Sequence, residues 1–317
     1  MPLPLDARRL VVMAHFDPDG LVAPHVRRQI QAWLAVPVDL TVVSTAELTE
    51  SDRDWLNAHV QLIERANQGY DFLSYRGGLE AAGDLSRYDE VIVCNDSFVG
   101  PLRPYAEILQ EMGRRDCDFW GLTRSDRNKR HIQSYFIAFR ASVVESDVFQ
   151  DFWAGVSPLA TRRAVIRRYE VGLSVRLARA GFRMARYFAE NRPERYRGRL
   201  RVAWWVLRRE AKAESIGALA RFRRDAREPW NPTYGLADSA LHAARLPLVK
   251  LDTLRHDPYG LDAGRLLRRC EARFPADFKG VREFLERTAS RYPTRKGESL
   301  RATPWWLRPL AGLVAYR

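Results

Sequence analysis

The central feature of this sequence is the segment Tyr88-Asp89-Glu90-Val91-Ile92-Val93-Cys94-Asn95-Asp96-Ser97-Phe98-Val99-Gly100-Pro101. Its apolar centre is a run of four residues without a polar break, three of them β-branched, which is typical of a strand buried on both faces. The run ends abruptly in polar residues, and Gly100-Pro101 then indicates a turn. Polar side chains at the carboxyl end of a buried parallel strand lie where open α/β sheets bind ligands. Asp96 or Ser97 therefore either binds a ligand or caps the next helix.

Short apolar runs and helical periodicity alternate around this segment. Further strands are predicted over residues 10–15, 38–43, 60–63, 117–123 and 134–140, and helices over residues 22–34, 102–112 and 143–153. This order predicts an α/β fold with a mostly parallel, doubly wound sheet. We expect the sheet domain to cover residues 8–190 and a helical, basic region to cover residues 191–317.

Length and cysteine usage limit the class of protein. At 317 residues and 46% hydrophobic content, the chain is long enough for one large domain or two small ones. Cys94, Cys117 and Cys270 lie far apart, which argues against a disulfide framework and against a zinc site. No apolar run has the length of a signal peptide or a membrane span. We therefore expect a soluble or peripheral protein in a reducing cytoplasm.

Positive charge is concentrated in one segment. Residues 161–228 carry 20 Lys and Arg against 7 Asp and Glu, which equals the whole net charge of +13. A localised basic region favours a polyanionic partner such as a membrane leaflet, a nucleic acid or a phosphorylated substrate. Within it, Arg195–Arg209 interleaves arginines with Tyr196, Trp204 and Trp205, a pattern typical of a nucleic-acid site, a membrane interface or a solvated basic helix.

The last fifteen residues, 303–317, are apolar and aromatic, with arginines at intervals and a Trp305-Trp306 pair. They are too short to span a bilayer but suit its interface. No nucleic-acid motif accompanies the basic segment, so we expect an anionic membrane surface rather than a nucleic acid as the partner. Binding should be reversible and salt-sensitive, because exposed charges are screened beyond about 8 Å at physiological salt.

A second loop carries the residue types of a phosphate site. Asn67 and Gly69 suit a loop with unusual backbone angles, and Asp71 is placed to cap the following helix. Arg76 supplies a guanidinium near the start of that helix, which suits a diphosphate. A plain strand-to-helix turn explains Gly69 and Asp71 equally well, but it does not explain Arg76.

A third candidate is an acidic residue at a helix start. Residues 167–182 have helical periodicity with Gly181 as the C-cap, and Glu170 is predicted in the first turn. An acid there favours the helix dipole, so Glu170 has either this structural role or a catalytic one. His131, in the polar loop 125–131, is either a base or ligand or an ordinary loop histidine.

Seven short segments in order resemble the rhamnan synthesis protein F family, glycosyltransferases of the GT-A fold that build rhamnose-containing cell-surface polysaccharides. The segments run from about residue 10 to residue 260. They are His15-Phe16-Asp17; Asn67-Gln68-Gly69-Tyr70-Asp71-Phe72 with Tyr75-Arg76; Asn95-Asp96-Ser97 with Gly100-Pro101; Asp118-Phe119-Trp120-Gly121-Leu122-Thr123; Gln133-Ser134-Tyr135-Phe136; Tyr169-Glu170-Val171-Gly172-Leu173; and Pro247-Leu248-Val249-Lys250 with Asp257-Pro258-Tyr259-Gly260.

The resemblance implies a nucleotide-sugar donor at the carboxyl edge of the sheet. The implied donor-binding residues are His15, Asn67, Gly69, Asp71, Arg76, Asn95, Asp96 and Ser97. GT-A enzymes usually hold a divalent metal with an Asp-X-Asp element, whereas this chain has Asn95-Asp96-Ser97 with one carboxylate. Asp96 is then the candidate ligand of Mn²⁺ or Mg²⁺, and donor phosphates and water would complete the oxygen ligands.

The resemblance also assigns the catalytic carboxylate. In inverting GT-A enzymes, an acid precedes a helix with the pattern Leu-x-x-Arg-Leu that ends in Ala-Gly, and Glu170 has this context. Glu170 is then the general base that takes the acceptor hydroxyl proton, with Asp118 as the rival base.

The implied reaction is inverting transfer from dTDP-rhamnose to a polysaccharide or a lipid-linked acceptor at the inner face of the cell membrane. Two other classes stay open: a catalytically inactive carbohydrate-binding relative, and a basic nucleic-acid-binding protein.

Overall fold

The computed structural model of the protein describes residues 2–127, 129–210, 231–292 and 308–317. The chain divides into two compact units. The first unit comprises Met1–Asp96, Arg103–Arg124 and Lys129–Tyr187. The second comprises Ser97–Leu102, Ser125–Asn128 and Phe188–Arg317. The main division falls three residues before the predicted one, and two short segments from the middle of the chain group with the second unit.

Eleven strands are described. They are β1 (Arg9–His15), β2 (Asp39–Ser44), β3 (Gln61–Glu64), β4 (Glu90–Asn95), β5 (Phe98–Val99), β6 (Phe119–Gly121), β7 (Arg124–Ser125), β8 (His131–Ile132), β9 (Phe136–Arg140), β10 (Met184–Arg186) and β11 (Val249–Lys250). Seven form one sheet in the order β10-β6-β9-β4-β1-β2-β3. Only β9 runs antiparallel to its neighbours in that sheet. The predicted α/β fold with a mostly parallel sheet is therefore confirmed.

The described helices belong to both units. In the first unit they are α1 (Pro24–Leu34), α2 (Glu50–His59), α3 (Tyr70–Ala82), α4 (Tyr105–Gly113), α5 (Ala141–Val144), α6 (Asp147–Ala154), α7 (Arg162–Val165) and α8 (Val171–Arg179), with a 3₁₀ turn at Leu85–Arg87 and a π-helical turn at Ile166–Glu170. In the second they are α9 (Arg192–Glu210), α10 (Pro232–Gly235), α11 (Leu251–His256), α12 (Ala263–Arg273), α13 (Pro275–Phe278), α14 (Val281–Arg287) and α15 (Arg308–Val314), with 3₁₀ turns at Ala237–Leu241 and Ala289–Arg291.

Helices cover both faces of the large sheet, because its central strands are apolar on both sides. On one face, side chains of α3, α6 and α8 pack in a single hydrophobic cluster with alternate residues of β1 and β4. On the other face, Trp33 of α1 stacks on Tyr105 of α4 with ring centroids 3.6 Å apart, and both rings lie beside Phe136 of β9. This arrangement leaves the strand ends, rather than the faces, to carry a site.

Helix α3 approaches the sheet most closely at Gly78. A Cβ atom at this position would lie 2.3 Å from Val12 Cγ1 and 3.1 Å from Val43 Cγ2. Both neighbours are fully buried in β1 and β2, so they have little space into which to move. The close approach positions the start of α3, where Asp71 lies.

We expect Gly78→Ala to lower the free energy of unfolding by about 1–3 kcal/mol, because overpacking a tight core displaces its neighbours. Gly77→Ala is the matched control, since nothing lies within 4 Å of its Cβ position on the same helix. There the higher helix propensity of Ala should leave stability unchanged or raise it by up to about 1 kcal/mol. Urea unfolding of both variants measures the difference. Equal midpoints would contradict the close approach of α3 to the sheet.

The second unit is held together by a buried ion pair. Arg201 of α9 donates from Nη1 and Nη2 to Asp238 Oδ1 and Oδ2 at 2.8 and 2.7 Å, and both side chains are almost fully buried. The same guanidinium donates to the carbonyl oxygens of Val314 and Ala315, and the backbone N of Arg317 donates to Asp238. Breaking such a pair on one side is costly, because the remaining charge stays buried without its partner.

These contacts limit two sequence expectations. Arg201 and Arg208 of the basic segment are buried, so they do not face a partner. The end of the chain is also packed inside: Tyr316 is fully buried and its hydroxyl donates to the Tyr234 carbonyl oxygen. Ala315 and Tyr316 therefore do not lie in a membrane interface, whereas Leu310 and Leu313 are exposed, and Trp305 and Trp306 lie outside the described residues. Within the described part of the chain, no helix is long and apolar enough to cross a membrane.

Candidate active site

The carboxyl edge of the large sheet, where β1 to β4 end, gathers several of the predicted residues. Asn95 at the end of β4 donates from Nδ2 to Asp71 Oδ2 at 2.7 Å, which joins the strand to the first turn of α3. The Asn95 backbone N donates to the Tyr135 carbonyl oxygen at 3.2 Å, and its own carbonyl oxygen accepts from Gln29 Nε2 at 3.1 Å. Asn95 is therefore fixed from three sides and orients the residue that follows it.

Asp96 is that residue, and it is half-buried at the strand end. Its Oδ2 accepts a hydrogen bond of 2.8 Å from the backbone N of Phe16, which follows β1. The alternative role as a helix cap is not found, because the next helix, α4, starts at Tyr105 with Pro104 at its N-cap. The Asp96 carboxylate thus lies between the ends of β4 and β1.

The loop before α3 has the backbone that its glycine predicts. Gly69 is in the left-handed region at φ 72° and is itself the N-cap residue, so Asp71 lies in the first turn and does not cap the helix. Arg65 stabilises the loop by donating hydrogen bonds to Ser74 Oγ and to the Gln68 carbonyl oxygen. Asn67 is exposed in this loop.

Glu170 lies at the end of the π-helical turn between α7 and α8. Its Oε2 accepts two hydrogen bonds from Ser134, one from the backbone N at 2.8 Å and one from Oγ at 2.5 Å. Its Oε1 lies 3.5 Å from His131 Nε2, and the Glu170 side chain is 15% exposed. The helical segment begins at Arg162, well before this residue, so the alternative role of Glu170 as a first-turn acid that favours the helix dipole is not found. A π-helical turn inside a helix is frequently a functional feature.

Ser134 connects Glu170 to the carboxyl edge. It precedes β9, whose first residue, Phe136, pairs with Cys94 of β4. The Ser134 carbonyl oxygen accepts a 2.9 Å hydrogen bond from the hydroxyl of Tyr75 on α3. Contacts between residues distant in sequence therefore bring Glu170, α3 and the end of β4 together.

Burial, hydrogen bonds and charges at this edge shift two pKa values. Burial alone raises the pKa of Glu170, but the hydrogen bonds and charge interactions with His131 and Ser134 outweigh it and hold the pKa below the ordinary value of 4.5. Glu170 is therefore a carboxylate at neutral pH. Burial, followed by the nearby charges of Asp71, Asp96 and Glu170 among others, raises the pKa of Tyr75 well above its ordinary range. The Tyr75 hydroxyl is thus protonated at neutral pH and can donate a hydrogen bond, and the carboxylates of Asp71, Asp96 and Glu170 lie near it.

His15, the last residue of β1, is buried, and its Nδ1 lies 3.0 Å from Ser44 Oγ at the end of β2. Burial lowers the pKa of His15 to about 4, so the imidazole is neutral at physiological pH. His15 therefore helps to orient the strand ends, and it has no positive charge with which to bind a phosphate.

Two predicted residues are not brought to this edge. Arg76 donates to Glu80 and to the Val156 carbonyl oxygen, and it lines a cavity of about 420 Å³ whose walls include the turn before β4. Asp118 precedes β6, at the edge where β1 and β4 begin, and it forms an ion pair with Arg183. That ion pair, together with other contacts, lowers the pKa of Asp118. The side chain of Glu170, and not that of Asp118, joins the carboxyl edge.

Ser97 belongs to the second unit, and within that unit its hydroxyl accepts a hydrogen bond from the ammonium of Lys250. The pairing of β5 with β11 explains this contact, since Lys250 lies opposite Phe98 in an antiparallel register. Sequence reasoning did not assign a role to Lys250, because 153 residues separate it from Ser97.

Sequence reasoning also missed the residues that hold the candidate carboxylates. Ser134, Tyr75 and Arg65 are buried or half-buried polar residues whose partners lie far away along the chain. Ser134 and Tyr75 lie inside the matching segments, which was the only signal that pointed to them. Phe16 and Tyr70 were also missed as exposed aromatic residues beside Asp96 and Gly69, and Tyr70 has an unusual positive φ of 60°.

The side chains at this edge do not form a metal-binding cage by themselves. Within the described residues, no group of three or more His, Cys, Asp or Glu side chains is arranged to hold a metal ion. Asp96 therefore offers one carboxylate, and most of the oxygen ligands of a hard cation would have to come from a substrate and water.

The chain matches known proteins over only part of their length. The chain is 28% identical over 186 residues to the uncharacterized protein y4gN of Sinorhizobium fredii, covering 57% of this chain and 48% of y4gN. It is 34% identical over 116 residues to the virulence protein VirA of Vibrio anguillarum, covering 35% of this chain and 36% of VirA. The chain thus spans half or less of the length of these curated relatives.

Among solved structures, one similar chain is described as a nucleotide-diphospho-sugar transferase from Desulfovibrio desulfuricans. It is 16% identical, with a TM-score of 0.37, and the match covers 69% of this chain and 96% of that one. The model of the rhamnan synthesis protein F family matches residues 40–200, just over half of the chain, and includes the segment with Asp71, Asn95, Asp96 and Glu170. The chain therefore belongs to the rhamnan synthesis protein F family.

Proposed function

We propose that this protein is an inverting glycosyltransferase that moves a sugar from a nucleotide-sugar donor to a growing polysaccharide or a lipid-linked oligosaccharide. Membership of the family supports a glycosyltransferase. The observation that carries the proposal is the ionised, partly exposed Glu170, linked through Ser134 to the strand end that holds Asp96. dTDP-rhamnose is the favoured donor because the family is named for rhamnan synthesis.

On the donor side, we assign nucleotide-sugar binding to the loop around Gly69 and to the end of β4. Asp71 and Asn95 support this part of the site through their mutual hydrogen bond. A divalent cation, Mn²⁺ or Mg²⁺, is part of the proposal: Asp96 would be a ligand of the cation, whose positive charge would stabilise the donor phosphates. His15 and Asn67 complete the proposed donor site, His15 as a neutral orienting residue and Asn67 as an exposed loop amide. Arg76 is not part of the proposed donor site, because its guanidinium donates to Glu80 and to the Val156 carbonyl oxygen away from the carboxyl edge.

On the acceptor side, Glu170 is the proposed general base. The acceptor oxygen attacks the anomeric carbon of the donor sugar, the bond to the diphosphate breaks, and the hydroxyl proton moves to Glu170. Ser134 holds the carboxylate by two hydrogen bonds to Oε2, which leaves Oε1 to face the acceptor and His131. Asp118 is retained only as the rival base that mutagenesis has to test.

Thermal-shift measurement against a panel of nucleotide sugars, with and without Mn²⁺, tests the donor. We expect dTDP-rhamnose to raise the unfolding temperature more than the other donors do, because a ligand that binds only the folded state stabilises it. Release of nucleoside diphosphate on adding a glycan acceptor tests turnover. Donor binding without release under any condition would indicate an inactive carbohydrate-binding relative. No donor binding together with salt-dependent binding to nucleic acid would favour a nucleic-acid-binding protein.

We also propose that the enzyme works at the cytoplasmic face of the cell membrane, as a peripheral protein. Tyr196, Leu200 and Leu207 lie on one side of α9 and are 67%, 45% and 42% exposed. Leu310 and Leu313 are exposed on α15, which contacts α9. Exposed arginines at positions 192, 195 and 199 border this apolar face. An apolar face with a basic border suits an anionic lipid surface. VirA, a relative named a virulence protein, fits an enzyme of surface polysaccharides.

We expect the protein to co-sediment with phosphatidylserine-containing vesicles at low salt and to bind less at high salt. The double variant Leu200→Ser/Leu207→Ser should weaken vesicle binding about tenfold or more, because two leucine side chains that would be buried in the lipid on binding are lost. Leu34→Ser is the matched control: Leu34 is also 42% exposed, but it lies on α1 of the first unit. If the wild-type protein stays in the supernatant at low salt, or if all variants bind alike, this surface does not bind lipid.

A further inference from the structure

The cavity of about 420 Å³ that Arg76 lines belongs entirely to the first unit. Its walls come from the C-terminal half of α3, the turn before β4, and helices α5 and α6. Helix α5 directly follows β9, whose last residue, Arg140, pairs with Glu90 at the start of β4, whereas Asp96 lies where β4 ends. Pockets that hold small organic ligands measure roughly 300–1,000 Å³. The cavity is therefore large enough for a ligand, on the side of the sheet away from Asp96.

Part of the cavity wall is apolar and rigid. Leu79, Phe149 and Trp153 line it, and all three belong to the hydrophobic cluster on one face of the large sheet. Close packing in that cluster holds these side chains in place, so they do not move to fill the cavity.

Arg76 adds a fixed hydrogen-bond donor. Its guanidinium donates from Nε to Glu80 Oε1 and from Nη1 to the Val156 carbonyl oxygen. Within the described part of the chain, its Nη2 has no hydrogen-bond partner. Two bonds therefore hold the guanidinium while one nitrogen stays available to a ligand.

Gln150 and Asp84 add acceptors that are fixed in the same way. Gln150 donates from Nε2 to the Val144 carbonyl oxygen at 2.8 Å, and its Oε1 accepts no hydrogen bond from the described residues. Asp84 accepts two hydrogen bonds from Ser86 through Oδ1, and its Oδ2 accepts none from the described residues. Groups that are already held in place lose little freedom when a ligand binds.

The charges that line the cavity limit the class of ligand. Glu80, Asp84 and Glu145 bring three carboxylates against the one guanidinium of Arg76, so a phosphate or a nucleotide would meet net negative charge. The described residues include no group of three or more His, Cys, Asp or Glu side chains arranged for a metal ion. A neutral sugar fits, because its hydroxyls both donate and accept hydrogen bonds and its C–H groups suit an apolar wall.

We propose that this cavity binds a sugar unit of the acceptor glycan, away from the end of the glycan that reacts. The inference rests on the proposed function, in which a polysaccharide is extended at the carboxyl edge of the sheet. A glycan held at two points binds more tightly without any change in the reacting groups. The cavity would thus favour long acceptors over short ones and leave the chemical step unchanged.

NMR titration with oligosaccharides of rhamnose, mannose, glucose and galactose tests the proposal. For the oligosaccharide that the wild-type protein binds best, Ala154→Trp should weaken binding about tenfold or more, because Ala154 lines the cavity and an indole there takes the space of the ligand. Gln150→Leu keeps the size but loses the amide, and it should weaken binding about two- to tenfold, the usual worth of one hydrogen bond. Ala58→Trp is the matched control, since Ala58 is an exposed alanine on α2 outside the cavity. It should bind like the wild-type protein.

The outcomes separate this inference from the proposed function. If the wild-type protein binds a nucleotide sugar but no oligosaccharide, or if Ala154→Trp binds the oligosaccharide as tightly as the wild-type protein does, only the role of the cavity is overturned. A loss of nucleotide-sugar affinity in Ala154→Trp would place the donor in the cavity and overturn it too. If Ala154→Trp loses the oligosaccharide but the wild-type protein neither binds a nucleotide sugar nor releases nucleoside diphosphate, the proposed function fails and the sugar site stands. If Ala154→Trp does not fold, Gln150→Leu decides by the same comparison.

Discussion

Replacing Glu170 by Gln should lower kcat by about 10²–10⁴-fold, the range that a positioned general base contributes. Gln has nearly the same size, and its amide oxygen can still accept the hydrogen bonds from Ser134. It cannot take a proton from the acceptor hydroxyl at neutral pH. We therefore expect the fold and the donor affinity to remain while turnover is lost, as measured by release of nucleoside diphosphate and by thermal shift.

Asp118→Asn is the matched control, because it changes the rival carboxylate in the same way. Asp118 lies at the opposite edge of the sheet, paired with Arg183, so its loss should affect stability more than turnover. A large loss of kcat in Asp118→Asn with normal turnover in Glu170→Gln would reverse the two assignments.

The pH dependence of the proton transfer to Glu170 follows from the direction in which the pKa of Glu170 is shifted. Because the pKa is held below 4.5, Glu170 should remain ionised throughout the neutral range and lose its charge only in more acid solution. His131→Gln removes the main interactions that lower the pKa, while burial, which raises it, remains. The acid limb of kcat/KM should therefore move to higher pH in this variant. An unchanged profile would argue against Glu170 as the base that limits the rate.

Replacing Asp96 by Ala should abolish transfer and weaken donor binding, whereas Ser97→Ala should do less. The carboxylate lies between the ends of β4 and β1, and one group that stabilises a leaving group is commonly worth about 10²–10³ in kcat. Asp96→Asn separates charge from structure, because an amide oxygen can still accept from the Phe16 backbone N. It should fold normally and still lose most of its turnover.

Donor titrations with each variant, in the presence of Mn²⁺ and of a chelator, measure this effect. If Asp96→Ala turns over near the wild-type rate, the diphosphate is not held at the end of β4 and the central premise of the proposal is wrong. If Asp96→Asn behaves like the wild-type protein but Asp96→Ala does not, the role of Asp96 is to hold the Phe16 loop rather than to bind the donor or a metal.

Local sequence patterns were sufficient for most of the sheet. Uninterrupted apolar runs made β1 and β4 recognisable, because a strand buried on both faces favours apolar residues along its centre. The glycine at position 69 likewise indicated its left-handed backbone in advance. Such signals are readable because neighbouring residues produce them without help from the rest of the chain.

Which residues make up the candidate site was decided by contacts between residues far apart in the sequence, and no local pattern contains such contacts. Arg76 looked suited to a diphosphate by its place near a helix start, but its guanidinium binds Val156, 80 residues away. Glu170 looked like a first-turn acid, but the helical segment begins earlier, and Ser134, which precedes β9, holds the Glu170 carboxylate. Packing against distant strands decides which side of a helix faces the strand ends. Burial then decides whether a charged side chain is paired within the protein or is accessible to a substrate.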